Sequence, residues 1–320
     1  MSNVIVTGGC GFFGTWILKQ LLDQNHTATV LDVEKNTKRW ELILTPAEIA
    51  KIQFRACKID EPEAVAALFK ELAPDAIIHL AGLQVPTCRA NPIAGARVNV
   101  IGTLAIFEAA LALPKKPGLV YASSAAVFGS DSDYDNAQVG DNTTPMPGTH
   151  YGAYKLCNEY CARAYWVDKQ YASVGFRPLT VYGPGRDVGL TSFPTRAVAA
   201  AILGKPFDIP FSGPTAYTFV EEVAAFFVAA AVTPAKGSPA YTMGGDVVDT
   251  PTFINELEKL VPGAKKLITC SGGNLPIASK LDDRELRAAY PQVKTIHLAE
   301  GLKRTVETFK ARAAQGLLVV

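Results

Sequence analysis

The fold is decided by the stretch Val4-Ile5-Val6-Thr7-Gly8-Gly9-Cys10-Gly11-Phe12-Phe13-Gly14. It predicts a buried β-strand, a glycine turn and the start of a helix. Gly8 would form the tight turn, Gly11 would let a pyrophosphate approach the backbone, and Gly14 would let the helix pack closely. Free N–H groups at the helix N-terminus would bind phosphate oxygens. The stretch therefore predicts a dinucleotide-binding site.

An acidic residue follows the second predicted strand, which covers residues 27–31 and ends at Asp32. A carboxylate about 20 residues after the glycines accepts the ribose hydroxyls of NAD and repels the 2′-phosphate of NADP. Lys35 and Arg39 lie just beyond it and would attract that phosphate. The sequence thus predicts NAD as the cofactor, with a preference over NADP that these two cations would weaken.

Composition excludes several classes of partner. The 31 Lys and Arg residues nearly cancel the 30 Asp and Glu residues, and no basic stripe predicts nucleic-acid or acidic-membrane binding. The longest fully apolar run, residues 223–232, is too short to span a bilayer, and no signal peptide is recognised. The six cysteines and four histidines show no metal-ligand spacing. We therefore expect a cytoplasmic protein without a metal site.

Strand and helix patterns alternate through the first half of the chain, which predicts an α/β fold with a doubly wound parallel sheet. Residues 1–183 would form an NAD-binding Rossmann domain to which later segments return. Residues 184–320 would form a smaller, mixed α/β region that mainly binds substrate. Strands are predicted at 52–56, 76–80, 118–122 and 173–177, and helices at 61–72, 94–113, 151–171, 191–203, 220–232, 251–261, 280–290 and 298–314.

A tyrosine and a lysine lie four residues apart in Tyr151-Gly152-Ala153-Tyr154-Lys155. On a helix these positions face the same way, so the phenol and the ammonium group would be neighbours. A tyrosine acting as a base near neutrality needs its pKa lowered by roughly 3 pH units, or about 4 kcal/mol. A lysine cation and the positive ring of NAD⁺ have the right charge to lower it. Tyr154 has no such partner, and we expect it to pack against the fold.

A serine at the end of the fifth strand, in Tyr121-Ala122-Ser123-Ser124-Ala125-Ala126, would complete the site. Its hydroxyl could bind the same substrate oxygen that exchanges a proton with the tyrosine. Of the two serines, Ser123 fits better the role of satisfying turn backbone. Ser124 is therefore the candidate catalytic residue.

With these motifs the chain resembles the extended short-chain dehydrogenases/reductases, the NAD-dependent epimerase/dehydratase family. The matches follow the family order through about the first 185 residues. They are residues 7–14, Asp32, 58–60, 79–82, 99–103, 123–129, 151–155 and 177–185.

The resemblance implies a catalytic triad of Ser124, Tyr151 and Lys155, and a homodimer formed through helices 94–113 and 151–171. His79 is expected to be a hydrogen-bonded strand residue. The cofactor contacts that the resemblance implies are Gly8, Gly11, Phe12, Phe13, Gly14, Asp32, Ile59, Asp60, Leu80, Ala81, Gly82, Asn99, Tyr151, Lys155, Leu179 and Val181.

Several positions depart from the family pattern. The 4,6-dehydratases carry an Asp-Glu pair where this chain has Ala125 and Ala126, which argues against dehydration. Nucleotide-sugar enzymes of the family carry asparagine at the place of Thr180 and a diphosphate-binding arginine at the place of Thr215. The candidate substrate contacts are Gln84, Ser124, Ala125, Thr180, Arg186, Ser192 and Arg196, whose arginines suit a carboxylate or sulfonate.

Three functional hypotheses follow. The first is an NAD-dependent oxidoreductase that takes a hydride from a secondary alcohol of a small sugar, polyol or sugar acid. The second is a sugar or nucleotide-sugar epimerase, which uses the same groups but returns the hydride to the opposite face. The third is an NAD-sensing regulatory protein, which would not need the tyrosine and the lysine.

Overall fold

Twelve strands form three sheets in the computed structural model, which describes residues 1–320. The largest sheet has seven strands, all parallel to their neighbours. The strands are β1 (Asn3–Thr7), β2 (Thr27–Asp32), β3 (Gln53–Ala56), β4 (Ala76–His79), β5 (Gly118–Ala122), β6 (Val174–Arg177), β7 (Thr180–Tyr182), β8 (Phe207–Ile209), β9 (Thr215–Phe219), β10 (Ala240–Thr242), β11 (Asp246–Val248) and β12 (Ile268–Cys270).

Fourteen α-helices cover this framework, together with a π-helical turn at Arg97–Ile101 and 3₁₀ turns at Ala125–Val127, Asp131–Tyr134 and Leu190–Ser192. The helices are α1 (Phe12–Asp23), α2 (Trp40–Ile43), α3 (Pro46–Ile49), α4 (Pro62–Leu72), α5 (Val85–Ala90), α6 (Pro92–Ala96), α7 (Gly102–Leu111), α8 (His150–Lys169), α9 (Phe193–Ile202), α10 (Val220–Val232), α11 (Thr250–Leu260), α12 (Ala264–Leu267), α13 (Arg284–Ala289) and α14 (Leu298–Ala314).

The large sheet has the strand order β10-β6-β5-β4-β1-β2-β3 and is buried on both faces. Successive side chains of a strand point to opposite faces, so an apolar run can fill two cores at once. Val4 and Val6 belong to the core on one face, and Ile5 and Leu31 belong to the core on the other. Both the sheet and its helical layers confirm the predicted doubly wound α/β fold.

The smaller region is built from the other two sheets, with strand orders β11-β9-β7 and β12-β8. Strand β7 lies inside the predicted first domain, yet it pairs with β9 of the smaller region. Conversely, β10 returns to the large sheet beside β6. The chain therefore crosses between the two regions several times, and the boundary at residue 183 is a simplification.

Most predicted elements are present with shifted ends, and two differ in kind. The predicted helix 94–113 is a composite of α6, the π-helical turn and α7. The predicted helix 280–290 is wrong in its first turn, because Leu281 pairs with Val139 in a β-bridge whose hydrogen bonds come from the Lys280 carbonyl and the Asp282 N–H. That pairing delays the helix start to Arg284.

One helical stretch, Pro92–Leu111, is long and apolar enough to cross a membrane by length and composition alone. Half of it is buried inside the protein, and its α7 portion packs against α4. Core helices commonly meet the same criterion, so this stretch is weak support for a membrane span.

Candidate active site

A cavity of about 1070 Å³ opens where the parallel strands β1, β2, β4 and β5 end. Ligand sites of open α/β sheets lie at this edge. Single small-molecule sites occupy roughly 300–1,000 Å³, so the volume suits a dinucleotide together with a second ligand. Its lining runs from the glycine turn after β1 to loops of the smaller region.

The glycine turn forms the nucleotide end of the cavity. Gly8 has a positive φ of 69°, and a Cβ atom there would lie 2.8 Å from the backbone nitrogen of Ala81. Gly11 precedes the first residue of α1, and no side chain caps that helix. The helix N–H groups and the dipole are therefore free to bind phosphate. These residues fit the pyrophosphate of NAD.

Asp32 lies at the end of β2 and lines the same part of the cavity. Its carboxylate accepts hydrogen bonds from the backbone N–H groups of Cys10 at 3.1 Å and Val33 at 2.9 Å. Arg39 also lines the cavity, but its guanidinium is bonded to Asp187 at 2.7 Å and to the Cys10 carbonyl at 3.3 Å. Lys35 does not line the cavity.

The structure brings most of the predicted cofactor contacts to this cavity. Two of them, Asn99 and Val181, do not line it. Those that do are Gly8, Gly11, Phe12, Phe13, Gly14, Asp32, Ile59, Asp60, Leu80, Ala81, Gly82, Tyr151, Lys155 and Leu179.

Helix α8 carries Tyr151 and Lys155 to the end of β5. The Thr149 side chain caps α8 by accepting the Gly152 N–H at 3.0 Å. A Cβ atom on Gly152 would lie 2.0 Å from the Ala126 carbonyl oxygen, so glycine allows the helix to reach the turn that follows Ser124. Ser124, Tyr151 and Lys155 consequently line the cavity together.

Burial dominates the electrostatics of this group. Desolvation raises the pKa of Tyr151, while a hydrogen bond with Ser124 and the charge of Arg186 lower it. Desolvation also lowers the pKa of Lys155 to about 8. The Lys155 Nζ atom lies 5.6 Å from the Tyr151 ring centroid and donates to the Ala122 carbonyl at 2.6 Å. The cation thus stands beside the phenol while fixing the end of β5.

The neighbouring serine has a different role from the one expected. Ser123 donates its hydroxyl to the buried Glu159, rather than to turn backbone. Glu159 forms a two-point ion pair with Arg177, at 2.7 and 2.8 Å. It is Ser124 that accepts the turn N–H, from Ala126 at 3.1 Å. This turn bond occupies only an acceptor position of Ser124, so its hydroxyl hydrogen can be donated to Tyr151 or to a ligand.

Asn99 lies in the π-helical turn and supports the cavity wall from behind. Its Nδ2 atom donates to the carbonyls of Leu83 at 3.1 Å and Gly95 at 3.0 Å. His79 is buried between the hydroxyls of Thr7 and Thr103, as expected of a hydrogen-bonded strand residue. Burial lowers the pKa of His79 to about 3, so it stays neutral.

The predicted substrate contacts divide into two groups. Gln84, Ser124 and Arg186 line the cavity. Ala125, Thr180 and Ser192 are buried elsewhere and do not line it. Arg196 packs its guanidinium 5.2 Å from the ring centroids of both Phe193 and Phe207, also away from the cavity. A ligand in the cavity therefore meets Arg186 but not Arg196.

A family model described as the NAD dependent epimerase/dehydratase family matches residues 4–244. The chain belongs to this family. Its members are NAD-dependent enzymes, which confirms the resemblance, the cofactor and the enzymatic nature of the chain. The hypothesis of a purely NAD-sensing regulator is not supported.

Relatives within the family match nearly the whole chain. A UDP-glucose 4-epimerase of Mycolicibacterium smegmatis is 27% identical, over 97% of this chain and 99% of the relative. A dTDP-glucose 4,6-dehydratase of Salmonella typhimurium is 26% identical, over 82% and 78%. The crystal structure of Thermus thermophilus UDP-glucose 4-epimerase with NAD superposes with a TM-score of 0.80 and 23% identity, over 96% and 99%.

Several cavity residues of this family member escaped the sequence analysis. Apart from Phe128, which lies in the matched stretch 123–129, they come from segments outside the motifs, and three of them are contributed by a segment more than 120 residues beyond Tyr151. Spacing along the chain contains no signal for such contacts. The unpredicted lining residues on the substrate side include Phe128, Gly148, Thr149, Gly189, Leu190, Thr191, Leu275, Pro276 and Ile277.

Proposed function

We propose that this chain moves a hydride between a secondary alcohol of a sugar derivative and NAD, with Tyr151 as the proton-transfer group. Ser124 orients the reacting oxygen, and Lys155 holds the cofactor ribose. The observation that supports this assignment is that these three side chains line the same cavity as the glycine turn and Asp32.

The side chains have separate tasks in this reaction. The hydroxyl proton of the substrate moves to the Tyr151 oxygen, and the Ser124 hydroxyl donates to the same substrate oxygen. Burial opposes ionisation of Tyr151, so nearby positive charge must outweigh it. Lys155 and Arg186 both have the required sign. When bound, NAD supplies the hydride acceptor and the positive charge of its oxidised ring.

Two net reactions share this step, and the comparisons favour epimerisation. Its hydride returns to the opposite face of the ketone within one turnover, which is consistent with full-length similarity to a UDP-glucose 4-epimerase. Net dehydrogenation is the second candidate. The neutral, mutually hydrogen-bonded Thr180 and Thr215 favour it. They offer no charge to bind a nucleotide diphosphate, and without that contact the ketone intermediate would dissociate more readily. Dehydration is not proposed, since Ala125 and Ala126 offer no acid or base.

The two reactions are separated by following NADH absorbance and product stereochemistry together. The protein is incubated with NAD⁺ and a panel of nucleotide sugars, free sugars, aldonates and uronates. Epimerisation yields a new epimer without accumulated NADH, whereas dehydrogenation yields NADH in step with substrate loss. The proposal would be overturned if no member of the panel showed either product.

We also propose a cytoplasmic homodimer. Apolar side chains are exposed on the composite helix and on α8, namely Ile93, Ile101, Tyr160 and Val167. The family resemblance pairs these helices with those of a second copy. The six cysteines are free thiols, as in a reducing compartment. Light scattering on the purified protein tests the dimer, and a monomeric mass at micromolar concentration would refute it.

A further inference from the structure

Five cationic side chains line the cavity, and four are accounted for. Lys155 donates to the Ala122 carbonyl, and Arg39 pairs with Asp187. Elsewhere in the lining, Lys58 lies 3.5 Å from Glu61, and Arg89 is exposed to solvent. The fifth cation is Arg186.

Arg186 has no anionic partner. Its Nη2 atom donates to the Thr191 hydroxyl at 2.8 Å, and no carboxylate lies within ion-pair distance. Its Nε atom is buried without a hydrogen-bond partner. Desolvation lowers the pKa of Arg186, but a guanidinium keeps its proton in proteins. Arg186 is half-buried, and a charge that has lost part of its water is unfavourable until an anion or several acceptors reach it.

The position of Arg186 points to the reacting end of the cavity. Its charge lowers the pKa of Tyr151, and its Nη2 atom and the Gln84 Oε1 atom flank Gly189. A Cβ atom on Gly189 would lie 3.6 Å from the first and 2.7 Å from the second. The guanidinium also lies 5.6 Å from the ring of Phe12, the first residue of α1.

We propose that the substrate carries a carboxylate and that Arg186 binds it, with the Gln84 amide as a neutral second donor. The substrate class is then a sugar acid, an aldonate or a uronate. This inference rests on the proposed function, since it names the substrate of the same site. One of the five guanidinium N–H groups is used by Thr191, and the remaining fork matches the two oxygens of a carboxylate.

The test measures binding without turnover. A Tyr151→Phe protein saturated with NAD⁺ is titrated calorimetrically with a panel of short-chain aldonates and uronates. Each acid is compared with its neutral polyol or aldose. At least one acid should bind, and its neutral counterpart should bind more weakly. Introducing Arg186→Met into the Tyr151→Phe protein should weaken binding of the acid by roughly 10- to 100-fold, since a charge-assisted contact is lost.

Control variants locate the effect. Arg186→Lys keeps the positive charge but not the planar fork of N–H donors. Its affinity for the acid should therefore lie between those of the protein with Arg186 and the protein with Arg186→Met. Arg196→Met removes the same charge outside the cavity and should leave acid binding unchanged. Thermal unfolding of each variant checks that it is folded. The dissociation constant for NAD⁺ should not change with Arg186→Met.

Five results would overturn the inference. The first is that no acid in the panel binds, and the second is that Arg186→Met leaves acid binding unchanged. The third is that Arg89→Met, rather than Arg186→Met, weakens binding of the acid. The fourth is that Arg186→Met weakens binding of NAD⁺ as much as binding of the acid, which would assign Arg186 to the cofactor. A sugar phosphate that binds more tightly than every acid would also overturn the carboxylate assignment. Because no turnover is needed, failed hydride transfer in the wild type would leave these results interpretable.

Discussion

Thr180 and Thr215 share a buried hydrogen bond, with 2.7 Å between their hydroxyl oxygens. They lie on the neighbouring strands β7 and β9, and neither lines the cavity. By the family resemblance, nucleotide-sugar enzymes place an asparagine and a diphosphate-binding arginine at these positions. Since the two hydroxyls bond to each other, this part of the fold offers no charge to a ligand.

We therefore expect UDP and UDP-glucose to bind the NAD-loaded protein with dissociation constants well above the micromolar range. A diphosphate needs cations or aimed donors to offset its desolvation, and each missing charge-assisted contact costs about 1.5–3 kcal/mol. Calorimetry measures both ligands directly. Micromolar binding of UDP would contradict the expectation and would restore a nucleotide-sugar substrate like those named for the relatives.

Replacing Tyr151 with phenylalanine should abolish turnover and leave NAD⁺ binding nearly unchanged, because only the proton-transfer oxygen is lost. A loss of roughly 10²–10⁴-fold in kcat is expected for a general acid–base group. The rate is measured at saturating substrate, and cofactor binding is measured separately by fluorescence titration.

Tyr154→Phe is the matched control for that variant. Tyr154 lies one turn further into the same helix, lies outside the cavity and donates its hydroxyl to the Pro92 carbonyl at 2.9 Å. Its removal should cost about 1 kcal/mol of stability and little activity. If the two variants lost activity equally, Tyr151 would not be the reacting group.

The sequence predicted the nucleotide end of the site more completely than the substrate end. Gly8, Gly11 and Asp32 act through local backbone geometry, so their spacing contains the information. Leu275, Pro276 and Ile277 reach the cavity only through the folding of the smaller region. Ser192 and Arg196 are close to Arg186 in sequence, but the 3₁₀ turn and α9 direct them elsewhere. Such orientation depends on tertiary packing.

NAD should be preferred over NADP, and Asp32 should be the reason. The two cations that could attract a 2′-phosphate do not oppose it, because Arg39 is held by Asp187 and Lys35 lies outside the cavity. Asp32→Asn keeps an oxygen for the Cys10 N–H but removes the charge. The dissociation constant for NADP divided by that for NAD should fall roughly tenfold in this variant. A wild-type protein that bound NADP more tightly would refute this assignment.

The Glu159–Arg177 ion pair should behave as a buried unit. Both side chains are less than 10% exposed, at 8% and 6%, and Glu159 also accepts the Ser123 hydroxyl beside the site. Arg177→Met leaves the Glu159 carboxylate buried without its cation, which should cost about 3–5 kcal/mol in urea unfolding. The double variant Glu159→Met, Arg177→Met should recover most of that loss. A double variant less stable than Arg177→Met would show that Glu159 stabilises the fold through contacts other than Arg177, such as the Ser123 hydroxyl.

Lys155→Met should inactivate the enzyme and yet stabilise the cofactor-free protein at pH 7. The folded state lowers the pKa of Lys155 from 10.5 to about 8, so the unfolded state binds its proton more tightly. Below pH 8 the buried charge therefore costs the folded state roughly 3 kcal/mol, and this cost vanishes as pH rises to about 10.5. Losing the hydrogen bond to the Ala122 carbonyl destabilises the variant by about 1 kcal/mol. The net gain in free energy of unfolding is therefore about 2 kcal/mol. Urea unfolding of both proteins should show this gain at pH 7 and its loss or reversal at pH 10.5. A variant less stable than wild type at pH 7 would mean that hydrogen bonding to Ala122, rather than a charge held ready for the cofactor ribose, determines the energetics of this lysine.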